Sequence, residues 1–151
     1  MKKFVIVLLC LIALAGCGGG GGVSAPTGST ITINPATISV TDLSSSVRWS
    51  DPCPKVTAIV ANSDGQRLGD IKISIFSQFG TPPKPDPTTN YVVQLFNQDG
   101  TAVSSPFDAK TDNMGTYTFT YCYQSGGGVK FTDSLEIRSS GAYQKVAVSI
   151  Q

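Results

Sequence analysis

The sequence predicts an all-β domain, a two-sheet antiparallel sandwich of about seven strands. Three observations carry that prediction. Runs rich in Val, Ile, Thr, Tyr and Phe recur at short intervals, bounded by Gly, Pro, Asn and Asp. Beyond the N-terminal segment no apolar pattern of helical period appears, so helices should be nearly absent. After that segment roughly 120 residues remain, enough for one core and one domain.

Strands are expected at Thr30–Asn34, Thr37–Thr41, Lys55–Asn62, Asp70–Ser77, Tyr91–Asn97, Gly115–Gln124, Thr132–Ser139 and Gln144–Ile150. The alternation is cleanest in Asp70–Ser77. Ile71, Ile73 and Ile75 share one face there, and Lys72 and Ser74 share the other. Asp64-Gly65, Asp99-Gly100 and Gly126-Gly127-Gly128 supply turn signals between the runs. In Thr116–Tyr123 one face holds Tyr117, Phe119, Tyr121 and Tyr123; the other holds three threonines and Cys122. Four aromatics bury far more apolar area, so the aromatic face should point inward. Cys122 then points away from the core.

The N-terminus reads as an address. Met1-Lys2-Lys3 is a short basic start, and an apolar run follows from Phe4 to Ala15. That run is too short for a stable bilayer-spanning helix, which needs about 20 residues. It fits the apolar region of a signal peptide. Leu14-Ala15-Gly16-Cys17 resembles the lipobox of bacterial lipoproteins. The resemblance implies cleavage after Gly16, a diacylglycerol on the Cys17 sulfur and acylation of the new amino terminus. One acyl chain binds a membrane only marginally, at about 0.8 kcal/mol per buried methylene, whereas two or three anchor it stably. The glycines Gly18 to Gly22, continuing through Val23 to Ser29, read as a flexible lipidated linker between anchor and domain. Gly18 stands where lipoproteins retained in the inner membrane commonly carry Asp. By that resemblance the outer membrane is favoured, on its periplasmic or surface face. The expected organisation is therefore signal peptide 1–16, linker 17–29 and sandwich domain 30–151.

Processing also sets the charge and the cysteine count. Of 11 basic residues, Lys2 and Lys3 leave with the signal peptide, so nine remain against 10 acidic ones. No basic stripe exists, which argues against nucleic acid as a partner. The chain contains no histidine, which excludes Ser-His-Asp and Cys-His catalysis and imidazole zinc sites. Cys10 leaves with the signal peptide and Cys17 carries lipid. Cys53 and Cys122 remain as an even pair in an exported protein, so a disulfide is expected. It would staple the outside or edge of the sandwich, because Cys122 faces away from the core and Cys53 sits between Pro52 and Pro54.

Two stretches resemble the bacterial Ig-like (Big) domains of invasin- and intimin-type adhesins. Val56 to Ile75, "VTAIVANSDGQRLGDIKISI", is similar to their strand–Asp-Gly–strand segment. Thr111 to Tyr121, "TDNMGTYTFTY", is similar to a later turn and strand, and "GAYQKVAVSIQ" to the closing strand. The proline-rich segment Phe79 to Asn90, and the presence of one copy where adhesins carry arrays, depart from that pattern. The resemblance implies an Ig-like sandwich with a structural or protein-interaction role of the adhesion type, without catalysis.

Binding candidates are few. Trp49, with Tyr143, Phe79 and Phe107, offers an aromatic platform for sugar rings or a protein, although the favoured reading of Trp49 is that it caps the end of the core. Pro83 and Pro85 lie in the proline-rich excursion, where loops most often carry function. Asp108, Asp112 and Asn113 have oxygens suited to Ca²⁺ but sit where turn formers belong. No spacing selects Asp99, Asp108 or Glu136 as a glycosidase pair. No cofactor and no metal are expected. The expected partners are the membrane, through the lipid, and an envelope or extracellular protein. The alternative is a lipoprotein that binds polysaccharide or a small ligand.

Overall fold

The computed structural model describes residues 22–40, 53–80, 91–125 and 132–150. These residues form β1 (Thr30–Asn34), β2 (Ile38–Val40), β3 (Lys55–Ala61), β4 (Lys72–Ser77) and β5 (Tyr91–Phe96). The chain continues with β6 (Ala102–Val103), β7 (Phe107–Lys110), β8 (Thr116–Ser125), β9 (Thr132–Ser139) and β10 (Ala142–Ile150). No helix occurs among the described residues. One sheet has the order β1-β3-β8-β5-β6 and the other β2-β10-β9-β4-β7. In immunoglobulin lettering β1, β3, β8 and β5 take the places of strands A, B, E and D. β4, β9 and β10 take those of C, F and G. The fold is an Ig-like β-sandwich.

Two details differ from the expectation. β6 and β7 lengthen each sheet by a short edge strand, and the pairing of β2 with β10 is parallel. The parallel pair has a simple cause. β1 and β2 run in one direction along the sandwich edge, interrupted at Pro35, which has no N–H to give to a ladder. β1 stays antiparallel to β3, whereas β2 crosses to the second sheet and lies alongside β10.

The core lies between the sheets. Ile31, Ile33, Val56, Ala58, Val60, Val93 and Leu95 fill it from one side; Ile38, Val40, Ile73, Ile75, Leu135, Ile137 and Val148 fill it from the other. Tyr117, Phe119, Tyr121 and Tyr123 of β8 all point into it and are buried. The inward register of the aromatic face is therefore correct. Phe107 of β7 meets Phe119 edge-on at 6.1 Å and Tyr117 at 6.4 Å. Each such buried side chain contributes about 1.5–3 kcal/mol relative to exposure.

Three turns share one construction. In Asn62–Gln66, Asn97–Thr101 and Asp112–Thr116 the first side chain accepts from the backbone N–H four residues on, at 2.8–2.9 Å. The fourth residue is a glycine with positive φ, 79° at Gly65, 84° at Gly100 and 71° at Gly115. That conformation suits glycine because it has no Cβ. At Gly115 space adds a second reason, since a Cβ would come within 2.8 Å of Arg67 Cβ and Leu68 N.

The segment before β1 belongs to the domain. Val23 makes a parallel bridge with Ile71, donating to Asp70 O at 3.1 Å and accepting from Lys72 N at 2.9 Å. Ala25 N donates to Ser139 Oγ at 3.1 Å, and Ala25 is buried within the core cluster. Gly141, in the β9–β10 turn, packs so close to Pro26 that a Cβ would meet its carbonyl at 2.9 Å. The segment thus crosses one open end of the sandwich, from β4 to β1, as a strap. The expected linker reached to Ser29; the strap takes Val23–Ser29 out of it and into the fold.

Candidate interaction surface

The strap marks one end of the molecule, here the tether end. There β3 finishes and β4 begins, β7 finishes and β8 begins, and β9 turns into β10. A hydrogen bond from Val60 N to Gly115 O extends the β3–β8 pairing in one sheet, and one from Asp70 N to Thr111 O extends the β4–β7 pairing in the other. β2, β4, β8 and β10 all run from this end toward the opposite one, the far end.

Among the described residues the exposed large apolar side chains are Val23 and Met114, each 65% exposed, and Tyr143, 52% exposed. All three lie at the tether end. Val23 is held there by the strap bridge. Met114 is held by the turn in which Asp112 Oδ1 accepts from Met114 N at 2.9 Å. Tyr143 is the second residue of β10 and stands opposite Arg138 in the antiparallel register. The Arg138 guanidinium lies 5.3 Å from the Tyr143 ring centroid, a cation–π contact of about 0.5–1 kcal/mol at an exposed site. Arg138 and Tyr143 also line a shallow depression with Ser139, Ser140, Gly141 and Ala142.

Four of the cations around this end are ion-paired, and Arg67 acts on Asp112 through its charge alone. Lys110 Nζ pairs with Asp70 at 2.8 Å, Lys72 Nζ with Asp108 at 2.9 Å, and Arg138 Nη2 with Glu136 at 2.6 Å. Lys145 adds a second cation to Glu136 at 3.4 Å. The hydrogen bond from Arg138 is the main reason the Glu136 carboxyl sits below its ordinary range. Asp108 is lowered chiefly by the hydrogen bond from Lys72, and Asp112 by the backbone N–H of Thr116. Asp99 is lowered by hydrogen bonds from Thr101. The carboxylates weighed as calcium ligands or a glycosidase pair are thus engaged separately, in turns and ion pairs on different elements. Among the described residues no three His, Cys, Asp or Glu side chains gather as a metal site.

Of the expected binding residues, Tyr143 is exposed at the tether end. Trp49, Pro83 and Pro85 lie outside the described residues, as does Cys17. Phe79 and Phe107, the other two rings of the expected platform, pack against the core instead. The disulfide joins Cys53 to Cys122, with Cα atoms 5.1 Å apart. It lies on the outer face of its sheet, away from the main core, as the register implied. It is nevertheless buried, in a small cluster of its own with Phe96. Nor does it lie at an edge, because β8 is the middle strand of its sheet. Sequence reasoning missed Val23 and Met114. No sequence signal marked Val23, because Val23-Ser24-Ala25-Pro26 has the composition of a linker.

No family model matches the chain, and no curated protein does. Solved structures resemble it distantly. The D00-D0 domain of intimin has 16% identity and a TM-score of 0.48, over 87% of this chain and 50% of that one. Domains 4 and 5 of the S-layer protein SbsC have 13% identity and a TM-score of 0.46, over 80% of this chain. The chain spans half the length of that S-layer structure, 50%. A conjugative transposon lipoprotein from Bacteroides eggerthii DSM 20697 has 9% identity and a TM-score of 0.45, over 82% of this chain and 98% of that one. Likenesses this distant say nothing of activity or partners.

Proposed function

We propose that this protein is a lipid-anchored Ig-like module of the bacterial cell envelope, with a structural or protein-interaction role and no catalysis. The observation that carries the reading is the Cys53–Cys122 disulfide in a domain that follows Leu14-Ala15-Gly16-Cys17. Disulfides persist in oxidising compartments, so the bridge and the lipobox-like segment independently support export. Cys17 carries the anchor, and the outer membrane is the proposed site. The partner is an envelope or extracellular protein of the adhesion type.

Fractionation tests this. The wild type should float with membranes, and Cys17→Ser should yield an unprocessed or soluble form. Normal membrane retention of Cys17→Ser would overturn the reading.

A second reading, polysaccharide or small-ligand binding, is favoured by one observation, the exposed Tyr143 ring beside Arg138. Glycan binding abolished by Tyr143→Ala would support it.

A further inference from the structure

We infer that the tether end of the sandwich is a membrane-contacting face, on which Val23, Met114 and Tyr143 meet the lipid headgroup region. The inference rests on the lipid anchor at Cys17 proposed above and adds a fixed polarity to it. A linker running to Ser29 would let the domain turn freely. The strap removes that freedom, because the chain is already held by β4 at Val23.

Reach is the first argument. Five residues separate Cys17 from Val23, and the six steps between the two span at most about 20 Å at ~3.6 Å each. β8 alone has 10 residues, and at ~3.3 Å each it runs about 33 Å between the two ends. The tether is shorter than the sandwich. Whatever path Gly18 to Gly22 take, the domain cannot stand inverted, with its long axis along the membrane normal and its far end on the bilayer.

The distribution of apolar side chains is the second argument, and it is independent of the anchor. The three exposed large apolar residues among those described gather at the end where the chain leaves for the membrane. A tyrosine with an arginine against its ring suits a boundary that is apolar on one side and wet on the other. The charges decide which lipid. Lys72, Lys110 and Arg138 are each engaged by a carboxylate, and the exposed Arg67 beside the Met114 turn has the Asp112 charge near it, so attraction to anionic lipid is not what holds this face. Contact should therefore occur on zwitterionic phosphatidylcholine.

The test uses the full lipidated protein in phosphatidylcholine vesicles that contain a headgroup spin-labelled lipid. A fluorophore is attached at Met114→Cys in one sample and at Thr132→Cys, at the far end, in another. The label at Met114→Cys should be quenched several-fold more than that at Thr132→Cys. Adding phosphatidylglycerol should not change the ratio. Equal quenching at the two positions in protein that floats with the vesicles would overturn the inference and leave the anchor standing. Protein that fails to float would overturn the anchor, and the membrane face with it. Replacing Val23 and Met114 by Ser in a folded, floating protein should reduce quenching of a label at Tyr143→Cys; unchanged quenching there would refute the apolar contact.

Discussion

The hydroxyl of Tyr121 donates to Oδ2 of Asp133 at 2.5 Å, joining the two sheets inside the core. Ser77 Oγ donates to the same oxygen at 2.5 Å, and Ser134 N donates to Oδ1 at 2.6 Å. Immunoglobulin domains pin their sheets at a comparable depth with a disulfide. Here the disulfide lies within one sheet, and this hydrogen bond crosses between them. Burial, and then the Asp133 charge, push the Tyr121 phenol far up, so it remains a donor.

Removing either partner should be costly, because the other stays buried. Tyr121→Phe should lose about 1–3 kcal/mol and Asp133→Ala at least as much. Urea melts at neutral pH measure both. In a double-mutant cycle the combined variant should lose less than the sum of the two. Strict additivity would mean that the hydrogen bond contributes nothing to stability.

Phe119 and Cys122, three residues apart on β8, should respond differently to reduction. Phe119→Ala should cost about 3–5 kcal/mol in either redox state, through lost burial and a cavity. Cys122→Ser should cost up to about 4 kcal/mol against the oxidised parent, the cross-link contribution. Against the reduced parent it should cost much less than Phe119→Ala, because its burial is confined to the small cluster with Cys53 and Phe96. Denaturant melts of residues 22–151 make the comparison. Equal penalties under reduction would mean that the outer cluster matters as much as the core.

The strap predicts a boundary for stable fragments. A protein beginning at Ser29 should be less stable than one beginning at Gly22 by about 2 kcal/mol, having lost strap hydrogen bonds worth roughly 0.5–1.5 kcal/mol each. Ala25→Asp should destabilise the longer form by a similar amount, about 1–3 kcal/mol, by burying an acid. Thermal melts that coincide for the two fragments would show that the strap lies on the surface without closing the core.

Asp112 predicts an acid limb. Its folded pKa is depressed by hydrogen bonds from Thr116 and Met114, so its contribution is present above the unfolded value of about 4. It is lost as pH falls through the lower folded value. The wild type should therefore weaken as pH falls below about 4, and Asp112→Asn should show a shallower decline there. Parallel pH profiles for the two proteins would contradict the assignment.

The strands were legible where side chains alternate over a full run. Thr30–Asn34 and Thr132–Ser139 match their expected bounds, and the inward face of β8 followed from aromatic area alone. β6 and β7 were not legible. A pair, Ala102–Val103, has no period, and Phe107–Lys110 alternates for only four residues directly after Pro106. Asp112 and Asn113 read as turn formers or calcium ligands, and the hydrogen bonds of Asp112 place it in the turn. The strap was hidden because Val23-Ser24-Ala25-Pro26 has linker composition. Only the neighbouring strand end at Ile71 shows that its backbone is paired. Of the tether-end surface, Tyr143 was visible as a candidate platform aromatic just before the expected last strand, while Val23 and Met114 needed the three-dimensional arrangement.

The parallel pairing of β2 with β10 has a mechanical consequence. The chain reaches β2 from the tether end, and β10 runs away from that end. With the anchor proposed at Cys17, tension between the membrane and the Ile150 end of β10 pulls the two strands past each other along their length. Their hydrogen bonds carry the load together in shear, whereas an antiparallel pair pulled from its open end would unzip bond by bond. Should that clamp yield, the closed loop between Cys53 and Cys122, a separation of 69 residues, cannot extend until its disulfide is reduced.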